Sequence, residues 1–323
     1  MILLCGIPTE SPLDMVAQAL RQLGAHFFVL NQRRVSQTQM EFTLRDGHVT
    51  GWLECGNELY QLEGFGGIYV RLMDDRALPE LAEEPESSSL RAYSRVFHET
   101  LLSWIALSDA RVVNQPAAMA SNNSKPFQSQ LIRTCGFCVP ETLVTNQPAL
   151  VREFLRRHGR VIYKSISGVR SIVQMLQAED LTRLERIRWC PTQFQQFIDG
   201  ENIRVHVVDN EIFATRIESQ AVDYRYAQSQ VGKSANLFAC DLPHDTVERC
   251  IALARALELP FAGIDLKITP QGEVYCFEVN PCPGFSYYEA STGQPIAAAV
   301  AQYLIGGTSV GLTSTTVKDV VSG

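Results

Sequence analysis

The first 120 residues alternate between strand-like and helix-like patterns of hydrophobic and polar positions. A continuous apolar run at 1–5 predicts a buried strand, and apolar residues at helical spacing across 12–23 predict a helix packed on it. The polar pair Asp46-Gly47 between two apolar runs predicts a hairpin turn. We therefore expect residues 1–120 to form a small α/β domain, with further strands at 26–30, 67–71 and 112–113, a solvated loop at 78–89 and a helix at 90–107.

A second α/β unit follows, in which the order of the predicted elements changes. Helices are predicted at 126–135 and 148–158, and a strand at 160–164 leads into a polar turn. Past Pro191 the pattern becomes mainly strand-like, and Pro270-Gln271-Gly272 predicts a hairpin between the last two strands. The other predicted elements are strands at 142–145, 172–176, 192–198, 203–208, 211–217, 263–268 and 274–279, and helices at 245–257 and 295–304.

Composition and charge narrow the class of protein. The chain has 323 residues, of which 46% are hydrophobic and 20% charged, and its formal net charge is −7. Its apolar runs are too short to span a membrane, and its negative charge offers no basic field to a nucleic acid. The N-terminus lacks the charged segment of a secretion signal, so we expect a cytoplasmic protein with reduced cysteines.

Three oxygen-bearing side chains on the last predicted hairpin suggest a metal site. Glu278 and Asn280 lie two positions apart on one strand and so share a face, and Asp265 on the preceding strand can join them. Carboxylate and amide oxygens are ligands that Mg²⁺ accepts. A solvated hairpin face with a polar turn is the alternative interpretation.

This segment resembles the metal-binding signature of the ATP-grasp ligases, particularly the RimK and glutathione-synthetase branch. The resemblance lies in the spacing of Asp265 and Glu278 and in the Glu278-Val279-Asn280-Pro281 run that ends at Gly284, and it extends over about 122–305. It implies an α/β ATP-grasp fold whose two lobes hold ATP between them. It also implies a small pre-ATP-grasp domain that precedes these lobes in the chain. The implied divisions are a first domain at 1–120, a central lobe at 121–190, a C-terminal lobe at 191–307 and a flexible, Gly-, Ser- and Thr-rich tail at 308–323.

The resemblance also implies two phosphate-binding lysines. Lys125 precedes the first helix of the central unit, and Lys164 ends a strand before a loop that contains Ser167 and Gly168. Such a loop can close on phosphate through its backbone N–H groups. A surface charge is the alternative interpretation of each lysine.

The segment Gln196-Phe197-Ile198 resembles the linker between the two lobes, where the family pairs backbone groups with adenine. Gln196 stands where the family more often has glutamate, which leaves backbone pairing intact and removes any carboxylate role there. Glu201 or Asn202 would then lie near the ribose hydroxyls, and a turn or capping role is the alternative for Asn202.

Arg204 and Arg216 lie on adjacent predicted strands among apolar neighbours. A partly buried guanidinium group requires an anionic partner. That partner is either a carboxylate in a structural ion pair or, as the resemblance implies, the γ-phosphate and an acyl phosphate. On the second interpretation these arginines are the catalytic residues.

Four further patterns carry less weight. Gly232-Lys233-Ser234 fits a loose P-loop motif but lacks a strand before it and a helix after it. Cys135 and Cys138 have redox spacing, yet they end a predicted helix, which favours packing. His206 alternates out of an apolar set and is predicted to lie at the surface or in a cleft. The stretch 223–226 is similar to peptide-modifying members of the branch, and the sequence assigns it no role.

Taken together, the resemblance implies an ATP-dependent ligase that uses ATP with one or two Mg²⁺ ions. A substrate carboxylate would form an acyl phosphate, which an amine or hydroxyl would attack to give an amide or an ester. The substrate could be an amino acid, a protein or, as in graspetide-type ligases, a peptide, and the enzyme could be a homo-oligomer. The alternative is a catalytically silent ATP-binding protein of the same fold.

Overall fold

The computed structural model describes residues 1–165, 173–219, 232 and 235–306. The predicted strand at 172–176 is described from 173 onward. The predicted loop residues Ser167 and Gly168, the stretch 223–226, Lys233 and the predicted tail at 308–323 lie outside these ranges.

The first part of the chain contains two sheets, one parallel and one antiparallel. Its strands are β1 (Ile2–Gly6), β2 (Phe27–Asn31), β3 (Thr38–Arg45), β4 (His48–Cys55), β5 (Glu58–Gln61), β6 (Gly67–Arg71) and β7 (Arg111–Val113). The parallel sheet has the order β2-β1-β6-β7, and the antiparallel sheet has the order β3-β4-β5. Because β1 lies between two parallel neighbours, all five of its residues are buried, which explains its continuous apolar run.

Two details of this part differ from the expectation. The predicted hairpin is present, with positive φ at Asp46 and Gly47, but it continues into a third strand, β5, that the pattern did not reveal. The stretch 78–89, predicted as a solvated loop, contains short 3₁₀ turns, and both Leu78 and Leu81 are buried. The prediction of solvent exposure was wrong for these two leucines, because the polar residues around them in the sequence gave no sign that their side chains are buried.

Helices cover these sheets and lead into the central part of the chain. They are α1 (Ser11–Gln22), α2 (Ser89–Leu107), α3 (Pro116–Met119), α4 (Lys125–Thr134), α5 (Pro148–His158) and α6 (Ala178–Thr182). The central strands are β8 (Thr142–Thr145), β9 (Val161–Ser165), β10 (Gln174–Met175) and β11 (Thr192–Gln196). They form an antiparallel sheet in the order β10-β9-β11-β8, and α5 packs on it through Val151 and Phe154.

The last part of the chain is a five-stranded antiparallel sheet with helices on both faces. Its strands are β12 (Glu201–Val208), β13 (Glu211–Glu218), β14 (Asn236–Cys240), β15 (Phe261–Ile268) and β16 (Val274–Asn280), in the order β14-β13-β12-β15-β16. Its helices are α7 (His244–Ala256), α8 (Ser286–Thr292) and α9 (Ile296–Ile305). Residues of α4 and α7 share a hydrophobic core with one face of this sheet.

The other face of the sheet shares its core with the first domain. Val300 of α9 belongs to the same buried cluster as Leu20 of α1 and Phe213 of β13. The final helix therefore joins the parallel sheet to the C-terminal sheet. Within the described part of the chain, none of the helices combines the length and the apolar character that crossing a bilayer requires.

His206 lies on this second face and is fully buried, so the prediction of a surface or cleft position was wrong. The alternation along β12 correctly separates His206 from Val205 and Val207, but helices cover both faces of the strand. The rings of Phe261 and Tyr288 lie 6.3 and 4.9 Å from the imidazole. Burial, together with the charge of Arg204, holds the pKa of His206 well below its usual value.

Candidate functional site

An open cleft lies between the central sheet and the C-terminal sheet. The central sheet contributes Ile162 and Lys164 from β9 and Gln195 from β11. The linker contributes Phe197 and Ile198. The C-terminal sheet contributes the side chains that bear on the chemistry, which are Asn202, Asp265, Lys267, Phe277 and Glu278.

Two carboxylates lie side by side in this cleft. Asp265 of β15 and Glu278 of β16 are directly opposed in the antiparallel ladder, so their side chains share a face. Asn280 lies two positions beyond Glu278 on the same strand, and its Oδ1 accepts a hydrogen bond from the Cys282 N–H at 2.9 Å. The structure therefore brings Asp265 and Glu278 together and places Asn280 next to them, with one lone pair of its oxygen used by the turn.

Each carboxylate contacts a cationic side chain. Arg204 Nη1 donates to Asp265 Oδ1 at 2.7 Å, and Lys125 Nζ donates to Glu278 Oε2 at 2.8 Å. The side chain of Arg204 is only 6% exposed. A Cβ at Gly263 would overlap its guanidinium group, so this position of β15 requires glycine.

The linker is fastened to the central lobe by backbone hydrogen bonds. The Gln196 N–H donates to the Glu141 carbonyl at 2.9 Å, and the Phe197 N–H donates to the Arg160 carbonyl at 3.1 Å. The Gln196 side chain accepts from the Glu141 N–H at 3.4 Å. Of the predicted base-binding residues, Phe197 and Ile198 line the cleft, whereas the Gln196 side chain is directed toward Glu141.

The ribose candidates differ in position. Asn202 lines the cleft, whereas Glu201 is exposed and is not part of its described lining. Lys164 lines the cleft from the opposite lobe, at the end of β9 where the predicted phosphate loop begins.

Lys267 is a cleft residue that the sequence interpretation missed. Its Nζ donates to the Ile198 carbonyl at 3.0 Å and lies 5.1 Å from the centre of the Phe197 ring and 5.9 Å from that of Phe277. Burial lowers the pKa of Lys267. Its spacing from Asp265 could have revealed it, because a residue two positions after Asp265 on a strand lies on the same face of the sheet.

Comparison with known proteins identifies the family. The family model of the RimK-like ATP-grasp domain matches residues 123–304. This chain belongs to the RimK-like ATP-grasp family. As the resemblance implied, the fold is an α/β ATP-grasp fold, and the chain is an ATP-dependent ligase.

Relatives of this RimK-like protein include probable alpha-L-glutamate ligases. That of Photobacterium profundum is 26% identical over 216 residues, which are 64% of this chain and 70% of the relative. That of Aliivibrio salmonicida is 26% identical over 202 residues, which are 59% of this chain and 66% of the relative. Both matches leave about a third of the relative outside the alignment.

Solved structures that are similar over almost the whole chain include the following two. The ATP-grasp ligase PsnB complexed with minimal precursor has a TM-score of 0.75 and 27% identity, covering 95% of this chain and 99% of that one. A Chryseobacterium gregarium RiPP-associated ATP-grasp ligase, in complex with ADP and a leader and core peptide, has a TM-score of 0.81 and 22% identity, covering 94% and 96%. The second comparison shows the fold alone.

The position of Arg216 in this RimK-like protein differs from the expectation. In the register of β12 and β13, Arg216 opposes Ile203 and Arg204 opposes Thr215, so the two arginines lie on opposite faces of the sheet. Arg216 instead contacts Glu218 at 3.2 Å, and its guanidinium lies 5.5 Å from the centre of the Phe238 ring. The prediction that both arginines enter one cleft was therefore wrong for Arg216, because residues of opposite strand parity were assigned to one site.

The donor set of the cleft fits a divalent cation together with a nucleotide. Among the described residues no group of three or more His, Cys, Asp or Glu side chains could hold a metal by itself. A hard cation beside Asp265 and Glu278 would therefore need further oxygen ligands, which the Asn280 amide, water and phosphate groups can supply. Lys125 and Lys164 carry positive charge that would suit phosphates, and the rings of Phe197 and Phe277 offer apolar surface that would suit a base.

Proposed function

We propose that this protein activates a carboxylate of a peptide substrate as an acyl phosphate and joins it to an amine or a hydroxyl group. The observation that carries the proposal is the pair of carboxylates Asp265 and Glu278, each in contact with a cation, at one end of the inter-lobe cleft. The peptide-bound neighbours and the glutamate ligase relatives support a carboxylate-containing peptide or amino-acid substrate.

The charges around the two carboxylates suit a polyanion. Arg204 and Lys125 contact them, and Lys164 and Lys267 line the same cleft, so four cations face two carboxylates in a protein of net charge −7. The side chains of Lys125 and Glu278 are 30% and 24% exposed, so solvent reaches both members of this ion pair. Both groups are therefore available to exchange their partner for phosphate or a metal ion.

We assign the residues as follows. Asp265, Glu278 and Asn280 would hold one or two Mg²⁺ ions, which would neutralise charge on the transferring phosphoryl group. Lys125 and Lys164 would bind the phosphates, Phe197, Ile198 and Asn202 would hold the nucleoside, and Arg204 would stabilise charge on the transferred group.

The proposed reaction needs no catalytic triad that acts as a general acid or base. A substrate carboxylate oxygen bonds to the γ-phosphorus while the bond to the β-γ bridging oxygen breaks and ADP leaves. The amine or hydroxyl attacks the carboxyl carbon, phosphate departs with the former carboxylate oxygen, and the nucleophile loses a proton. Positioning and charge stabilisation supply most of the rate in such transfers.

The test is trapping of the activated carboxylate. The protein is incubated with ATP, Mg²⁺, hydroxylamine and a panel of Glu- and Asp-containing peptides, free glutamate and other amino acids. We expect hydroxamate and ADP to form together with a peptide substrate, and mass spectrometry without hydroxylamine to show loss of water for each link. ATP binding without ADP release across the whole panel would favour the silent binding protein, and hydroxamate with free amino acids alone would exclude the peptide assignment.

A further inference from the structure

Lys267 ties the linker between the lobes to the strand that carries Asp265. It lies two positions after Asp265 on β15, so both side chains face the cleft, and its Nζ bonds to the Ile198 carbonyl at 3.0 Å. One short segment thus presents a carboxylate at one end of the cleft and an ammonium group at the other.

The aromatic surroundings of Lys267 define the second end of the cleft. Its ammonium lies between Phe197 of the linker and Phe277 of β16, within about 6 Å of both ring centres, as cation–π contacts require. Phe197 is contacted from another side by Arg160, whose guanidinium lies 3.8 Å from the ring centre and pairs with Asp199 at 2.6 Å. Arg160 is exposed and does not line the cleft, so it braces the linker from outside.

Lys267 can donate more hydrogen bonds than the one that it makes to the linker. An ammonium group has three donors and no acceptor, and the Ile198 carbonyl uses one donor. Asn202 directly opposes Lys267 in the ladder between β12 and β15, so the two side chains share the face of the sheet that lines the cleft. A ligand group that packs beside Lys267 in the cleft can therefore accept a hydrogen bond from the ammonium group.

We propose that Lys267 is a specificity-determining residue for the nucleotide base, whose ammonium fixes the Ile198 carbonyl and donates a second hydrogen bond to a purine ring nitrogen. The inference rests on nucleotide binding in the cleft and is independent of the carboxylate and acceptor. Ring nitrogens are acceptors and exocyclic amines are donors, so the ammonium favours a ring edge that presents an unprotonated nitrogen.

The test measures nucleotide affinity by titration calorimetry with Mg²⁺ and without any acyl substrate. The probes are ATP and its 1-deaza, 3-deaza and 7-deaza analogues, each of which replaces one ring nitrogen by carbon. We expect the wild-type protein to bind one analogue about tenfold more weakly than ATP, the loss typical of one hydrogen bond with a charged donor. Lys267→Met should bind ATP about tenfold more weakly and should no longer distinguish ATP from that analogue, whereas Lys267→Arg should retain part of the discrimination.

Arg160→Met is the matched control, because it removes a cation that contacts the same Phe197 ring but does not line the cleft. It should leave the discrimination between ATP and the analogue unchanged. If wild-type protein binds ATP and all three analogues equally, or if Lys267→Met preserves the wild-type discrimination, the proposal is wrong and Lys267 only braces the linker. Equal binding of ATP and all three analogues by the wild-type protein would overturn the proposal without any variant, whereas support for Lys267 requires that a folded Lys267→Met protein loses the discrimination. A failed ligation assay leaves this readout unaffected.

Discussion

Lys125 Nζ donates a hydrogen bond to Glu278 Oε2 at 2.8 Å, which connects the first residue of α4 to the strand β16. This contact places a candidate phosphate-binding lysine at the same end of the cleft as the carboxylates Asp265 and Glu278. The two side chains are 30% and 24% exposed, so both are accessible from the solvent of the cleft. We therefore expect substitutions that keep the shape of either side chain to affect activity more than folding.

We expect Glu278→Gln to reduce kcat by at least about 100-fold while the thermal unfolding midpoint changes little. The substitution keeps the shape of the side chain and removes the charge that a divalent cation requires. ADP release at saturating substrate and differential scanning fluorimetry measure the two effects. Glu248→Gln, at an exposed position on α7, is the matched control and should retain full activity. Full activity of the Glu278 variant would remove this residue from the metal site.

Lys164→Met should weaken ATP binding by roughly tenfold, because one charge-assisted contact with a phosphate is lost. Calorimetric titration of the free enzyme with ATP and Mg²⁺ measures the dissociation constant. Arg156→Met removes a positive charge from an exposed position of the same lobe and should bind ATP as the wild type does. Equal affinities of the Lys164 variant and the wild type would place this lysine outside the phosphate site.

The two arginines that the sequence assigns to one site should behave differently. Arg204 is buried against Asp265, so Arg204→Met removes a charge-assisted hydrogen bond to that carboxylate and should lower the free energy of unfolding by about 2 kcal/mol. It should also reduce kcat by about 100-fold. Arg216→Met should retain activity within about threefold, because Arg216 lies on the opposite face of the sheet. Urea unfolding and steady-state ADP release measure these effects. Equal losses of activity in the two variants would show that the face of the sheet on which an arginine lies does not determine its role in catalysis.

The sequence predicted that the carboxylates of Asp265 and Glu278 lie together, because strand parity and hairpin register depend on local chain geometry alone. Asp265 and Glu278 required only a correct hairpin, and the turn at Gly272 supplies it with a positive φ. The resemblance supplied Lys125 and the linker, which no local pattern connects to β16. Lys267 was missed because a lysine on a strand is ordinarily a solvated charge, and its burial depends on Phe197 of the linker between the lobes.

The predicted position of His206 was wrong for a related reason. Alternation along β12 showed which residues share a face, but it could not show that α8 and α9 cover the second face. The covering residues, among them Tyr288, follow His206 by more than 80 positions. Burial on both faces is a tertiary property, and a polar residue on an otherwise apolar strand gives no sign of it.

The buried imidazole of His206 should make the free energy of unfolding depend on pH. Its pKa in the folded protein is lowered by burial and by Arg204, whereas in the unfolded chain it titrates near its usual value of about 6.5. Below that pH the unfolded chain binds the additional proton. The stability is therefore complete above about pH 6.5 and falls as the pH decreases, by up to about 1.4 kcal/mol per pH unit.

Urea unfolding between about pH 5 and 8 measures this dependence, and His206→Leu should flatten it. Burial also lowers the pKa of His98, which contributes a slope of the same sign, so the difference between the variant and the wild type isolates His206. His244→Gln removes a histidine whose side chain is 87% exposed and should leave the wild-type slope unchanged. Identical slopes for His206→Leu and the wild type would mean that His206 accepts its proton in the folded protein as readily as in the unfolded chain, and the lowered pKa would then be wrong.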